Sequence, residues 1–100
     1  MTNENNKGVP LKNENEEAIY LKKIGERLKY FRKKAGYNNY EYFAYDHNIS
    51  RPQYGKYEAG ANIQLNTLIK ILKAMNVTLE EFFKGFNEAN NEKLGFDNSL

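Results

Sequence analysis

Residues 39–60 read NYEYFAYDHNISRPQYGKYEAG, and the punctuation of this stretch decides the fold. Asn39 is placed to cap a helix, because its side-chain oxygen can accept from a first-turn amide that has no partner within the helix. Phe43, Ala44 and His47 follow on one face at helical spacing. Asn48 ends that helix, since asparagine tolerates the left-handed backbone of a helix terminus. Ser50 caps a second helix, with Gln53 three residues on in the pattern of a capping box. Tyr54 and Tyr57 form its apolar face and Gly60 ends it. Ala44, small and one turn before the bend, leaves room for two backbones to cross. Two helices joined this tightly bury one face each and leave the outer face of the second exposed.

Upstream, Leu21, Ile24, Leu28, Phe31 and Ala35 recur at three- and four-residue steps, which predicts an amphipathic helix ending at Gly36. Glu16 and Glu17 suit its start and Lys33 and Lys34 its end, through the helix dipole. Residues 1–14 are rich in Asn and Glu, with Gly8 and Pro10, and are expected to form a flexible arm. Downstream of Gly60, Ile63 is expected to tuck inward. Leu65, Leu68, Ile69, Leu72 and Met75 mark a fourth helix closed by Asn76. Thr78 and Glu81 form a capping box for a fifth, whose apolar side is Leu79, Phe82 and Phe83. Residues 85–100 lose the periodicity and are expected to be an acidic, mobile tail carrying Phe86, Leu94 and Phe96. No segment reads as a strand. The expected architecture is a compact all-α bundle of five helices over residues 15–84.

One hundred residues at 40% hydrophobic content suffice for one modest core if the chain ends stay outside it. There is no cysteine, which excludes disulfides and thiolate metal sites. No apolar run approaches membrane-spanning length, so the default expectation is a soluble cytoplasmic protein without membrane contact. The net charge of +2 is uneven: residues 18–36 hold seven Lys or Arg and one Glu, between acidic ends. A basic centre of this kind fits a polyanionic partner, and it fits a solvated helix face equally well.

The segments IGERLKYFRKKAGY, FAYDHNIS, RPQYGKYEAG and LNTLIKILKAMNVTLEEFF, taken together, resemble the phage-repressor type of helix-turn-helix domain, the xenobiotic-response-element family. The resemblance covers about residues 21–84. It implies that the helix from Ser50 to Ala59 enters the major groove of double-stranded DNA while the preceding helix crosses the phosphate backbone. Carried onto this sequence, the base-facing positions are Arg51, Pro52, Gly55 and Lys56. Arg51 is the main reader, because a guanidinium donates twice to guanine O6 and N7. Phosphate contacts are implied at Asn39 and Tyr40, where helix-terminal amides attract an anion, at Ser50 and Gln53, and at Asn62 and Asn66. Arg32 and Glu58 match a pair that forms a structural salt bridge in the family, expected here to position more than to stabilise.

The chain departs from the family pattern at several places. Asn48 replaces a glycine, one extra residue precedes the second helix, and His47 stands where a leucine is usual. Tyr54 and Tyr57 replace aliphatic residues, which requires partners for their hydroxyls or a path to solvent. His47 is read as a core-edge residue satisfied by a neighbour rather than a ligand. Pro52 can offer only apolar contact, for example to a thymine methyl, and Gly55 offers no side chain. Readout therefore rests largely on Arg51 and Lys56.

The implied function is a sequence-specific DNA-binding transcriptional regulator, bacterial or phage-like, acting as a homodimer on DNA. The alternative is an antitoxin-like or other protein-interaction module that binds a protein partner through Phe86 and Phe96, with DNA binding weak or lost. An enzyme is disfavoured: a single histidine, no cysteine, no phosphate-cradling glycine loop after a strand and no convergent carboxylates offer little chemistry. No cofactor and no metal are expected.

Overall fold

The computed structural model describes residues 9–87, with side chains described from Glu16 onward. Five helices run through these residues: α1 (Val9–Lys34), α2 (Tyr40–Asp46), α3 (Arg51–Glu58), α4 (Leu65–Met75) and α5 (Leu79–Phe83). No strand occurs among them, so the all-α reading holds. The chain divides into two compact units, the first ending at Ile63 and the second starting at Gln64. The first contains α1–α3 and the second α4 and α5.

Four of the helices close in the same way. Each of α1 to α4 is followed by a residue in the left-handed region: Gly36 (φ +102°), Asn48 (φ +60°), Gly60 (φ +107°) and Asn76 (φ +63°). The amide of the next residue then reaches back over the last turn: Tyr37 to the Arg32 carbonyl, Ile49 to Ala44, Ala61 to Lys56 and Val77 to Leu72, at 2.8–3.1 Å. Otherwise unpaired carbonyls are satisfied and each helix is stopped abruptly. The bend between α2 and α3 is one of these four closures.

In the first unit α3 packs against both α1 and α2. Leu28, Phe43, Ala44 and Tyr54 are fully buried there, and Phe31 nearly so. Phe43 is its aromatic centre, with ring centroids 5.2 Å from Tyr54, 5.3 Å from Tyr37 and 4.5 Å from His47. Gly25 on α1 makes the closest helix approach: a Cβ there would lie 2.5 Å from the carbonyl oxygen of Glu58 and 2.7 Å from that of Tyr57. Only glycine lets the C-terminal end of α3 lie this close to α1. In the second unit, Leu68, Ile71, Leu72, Met75 and Phe82 are buried. Thr78 and Glu81 make a reciprocal capping box for α5.

Several boundaries and faces differ from the sequence expectation. The first helix begins at Val9, not near Asn15, so residues 9–14 of the expected arm are helical. Pro10 is compatible with a first turn, and LKNENEE contains no breaker, so a helix already anchored downstream propagates through it at little cost. Residues 1–8 and 88–100, with the expectations placed on them and on Phe96, lie outside the described residues. Leu65 and Leu79, assigned to apolar faces, are 63% and 43% exposed, whereas Ile71, unassigned, is fully buried. Both exposed leucines sit at the first position of their helices, where a side chain points past the end of the packed face. Phe86 is half-buried rather than an exposed tail residue: its ring meets the edge of Phe83 at 5.2 Å and its amide bonds the Phe83 carbonyl.

Candidate nucleic-acid interface

Helix α3 has a buried side and an open side. Tyr54 is buried and Tyr57 and Glu58 are largely covered, while Arg51, Pro52, Gln53 and Lys56 are exposed. Ser50 accepts from the Gln53 amide at 3.3 Å, which starts the helix. The Ser50 amide does not donate back to the Gln53 side chain, so only half of the expected capping box forms. Pro52 lies in the first turn, where its missing N–H leaves no gap in the helix. An open hollow of about 700 Å³ lies over the bend and carries Asn48, Ser50, Arg51 and Pro52 on its wall.

The orientation of α3 is held by Arg32. Its Nε and Nη2 donate to the two carboxylate oxygens of Glu58 at 3.0 and 2.8 Å, while Nη1 donates to the Tyr37 carbonyl at 2.9 Å. The two side chains are only 3% and 8% exposed. The expected bridge forms and is buried, so stripping away one partner leaves an uncompensated charge. The hydrogen bond to Glu58 raises the Arg32 pKa above its ordinary value, against the opposing effect of burial. The Tyr37 hydroxyl in turn donates to Asp46 Oδ2 at 2.8 Å, which pushes the phenol pKa upward. A single guanidinium thus links α1, the end of α3 and the loop that leads into α2.

Tyr54 shows the cost of a phenol at an aliphatic position. Its hydroxyl is buried beside Glu58 and Arg32 without forming a well-aligned hydrogen bond, and burial, followed by the Glu58 charge, pushes its pKa far above the ordinary tyrosine value. His47 is half-buried, with Nδ1 2.9 Å from the Phe43 carbonyl. A carbonyl can only accept, so Nδ1 carries the proton.

The structure treats the sequence-assigned contact residues unevenly. Arg51, Pro52, Lys56, Ser50 and Gln53 stand together on the open side of α3. Asn39 is exposed, but its Oδ1 already accepts from the Glu41 and Tyr42 amides, so the capped first turn of α2 does not hold those amides ready for a phosphate. Gly55 does not lie open: the Tyr40 ring covers it, and a Cβ at position 55 would meet Tyr40 Cε1, Cζ and Oη at 2.9 Å. Asn62 is exposed in the loop after α3, and Asn66, also exposed, belongs to the second unit. Sequence reasoning missed Gly25 and the buried Arg27. A glycine and an arginine inside an otherwise regular amphipathic helix were the only signals available. Among the described residues, no group of three or more His, Asp or Glu is placed to hold a metal ion. None of their helices is long and apolar enough to cross a membrane.

A family model described as helix-turn-helix matches residues 28–82, from the last third of α1 to α5. The chain belongs to the helix-turn-helix family of the phage-repressor type. No curated protein and no solved structure matches it. Within this helix-turn-helix domain, α2 and α3 are the two helices of the motif and Asn48 supplies its turn.

Proposed function

We propose that the protein is a sequence-specific DNA-binding transcriptional regulator whose α3 enters the major groove. The observation that carries this reading is the exposure of Arg51 and Lys56 on α3 while the opposite side of that helix is locked into its unit by Tyr54 and the Arg32–Glu58 pair. Arg51 donates to guanine O6 and N7, Lys56 to a base edge or phosphate, and Pro52 touches a thymine methyl. Ser50, Gln53, Asn39, Tyr40, Asn62 and Asn66 supply neutral donors for backbone phosphates, which fix register without reading sequence. Two charged readers per head are few. A homodimer on two half-sites spaced roughly 34–36 Å apart raises both affinity and selectivity. The setting is the cytoplasm of a bacterium or of a phage-infected cell.

Selection of bound sequences from a random DNA pool, followed by titration across salt concentrations, tests the reading. The expected result is an enriched, palindromic motif, and an Arg51→Ala loss of about 1–3 kcal/mol that relaxes selection at one base pair per half-site. Equal affinity for all sequences, or no binding at about 50 mM salt, refutes it.

A further inference from the structure

Two leucines of the second unit stand in solvent beside a hollow of matching apolar character. Leu79, at the first position of α5, is 43% exposed, and Leu65, at the first position of α4, is 63% exposed. Leu79 forms one wall of an open hollow of about 380 Å³, and Ile69, Leu72 and Val77 supply its other apolar walls. Ile69 and Val77 are only half-buried there. Leu65 lies one turn before Ile69 on α4, so the apolar strip continues along that helix. A protruding side chain and a hollow thus lie side by side on one surface. The charges around them follow the same order. Lys73 borders the hollow on the α4 side, and Glu80 follows Leu79 on the α5 side. Both are exposed, and neither side chain is ion-paired or hydrogen-bonded to another described residue.

Resting on the homodimer proposed above, we infer that this α4–α5 face is where two copies of the chain meet. Across a two-fold axis every contact is returned, so a surface pairs with itself only if it carries both halves of each contact. This face carries both. Leu79 of each copy enters the hollow of the other, against Ile69 and Val77 of the partner subunit. The α5 edge of one copy then lies over the α4 edge of the other. Glu80 of one copy thereby meets Lys73 of the partner subunit, once on each side of the axis, and these opposite charges select this pairing over others. Side chains this few make an interface at the small end of the range, below about 1,200 Å² in total. The free dimer is therefore weak, and it tightens where two adjacent half-sites on DNA hold both copies together. None of these residues is one assigned to DNA.

Sedimentation equilibrium on the full chain without DNA, carried to about 1 mM, tests the pairing. The parent is expected to show a monomer–dimer equilibrium within that range. Leu79→Glu places a charge in the hollow of the partner subunit and should weaken the dimer about tenfold or more, while an acidic residue at the first position of α5 leaves that helix intact. Lys73→Glu and Glu80→Lys should each weaken it about three- to tenfold, because each sets like charges across the axis. The decisive sample is an equimolar mixture of those two variants. In the mixed dimer both pairs across the axis are again opposite in charge, so association should return to within about twofold of the parent. No contact within one chain can produce that recovery. A parent that stays monomeric to about 1 mM overturns the inference. So does a dimer that Leu79→Glu leaves intact, or a mixture no tighter than the single variants. All three substitutions fall at exposed positions, and circular dichroism confirms that the helices persist. The readout does not involve DNA. A parent that dimerises as described but binds no DNA leaves this inference standing and refutes the DNA-binding reading, and one that binds a selected site as a monomer does the reverse.

Discussion

Removing the Arg32 guanidinium is the sharpest perturbation this structure offers. Arg32→Ala deletes two charge-assisted bonds to Glu58 and one to the Tyr37 carbonyl, and leaves a carboxylate that is only 8% exposed without its counter-charge. Breaking a buried pair on one side costs about 3–5 kcal/mol, well above the 0.2–1 kcal/mol typical of an exposed bridge. A chain of this size has a total stability on the order of 5–15 kcal/mol, so a large share of it is lost. Urea denaturation followed by far-ultraviolet circular dichroism measures the effect. Glu58→Ala should cost a similar amount, because it strands the guanidinium instead. Replacing both partners by apolar residues of similar volume, Arg32→Met with Glu58→Leu, should recover much of the loss, since neither buried charge is then left alone. Arg32→Lys should fall between the parent and Arg32→Ala, because an ammonium cannot span both carboxylate oxygens and the Tyr37 carbonyl in one plane. Single-variant losses below about 1 kcal/mol, or a double variant weaker than both singles, would refute the claim that this pair behaves as a buried one.

Three further predictions follow from close packing and burial. Gly25→Ala drives a methyl group into the Tyr57 and Glu58 carbonyls, a backbone contact that no rotamer change relieves. It should cost at least about 1–3 kcal/mol in urea titrations despite alanine's better helix propensity. Tyr54→Phe removes a buried hydroxyl that forms no well-aligned hydrogen bond, so it should leave stability at neutral pH unchanged or slightly raised; a loss above about 1.5 kcal/mol would show the hydroxyl to be bonded. The same residue sets an alkaline limit. In the unfolded chain its phenol ionises near pH 10, while in the native state it stays protonated to higher pH, so the unfolded form sheds its proton first. That contribution is intact below about pH 10 and is lost as pH rises above it. Stability curves taken from pH 8 upward should therefore fall more steeply for the parent than for Tyr54→Phe.

Local chemistry was legible from the chain alone wherever it acts over a few residues. The caps at Asn39, Ser50 and Thr78, and the left-handed stops at Asn48 and Asn76, are decided by side chains and backbone within one turn, and the helices begin or end where those residues stand. The start of α1 was misplaced because residues 11–17 hold no breaker, so the helix continues from its anchored part back to the turn that holds Pro10, which composition does not report. The burial of Arg32 and Glu58 was likewise invisible. Their pairing follows from a pattern 26 residues apart, but whether such a pair is wet or dry depends on what closes over it.

The two readings of Gly55 show where sequence stops. Taken along the chain, it is a base-facing position of the recognition helix that offers no side chain. Only the packing of α2 across α3 brings the Tyr40 ring onto that gap, from fifteen positions away, and turns an absent side chain into a seat for another. The stretch from Asn39 to Gly60 thus carries its own helices, caps and bend, because hydrogen bonds and backbone preference act locally. What stands on its outer face is a tertiary property, decided by which side chains fit together once the helices cross.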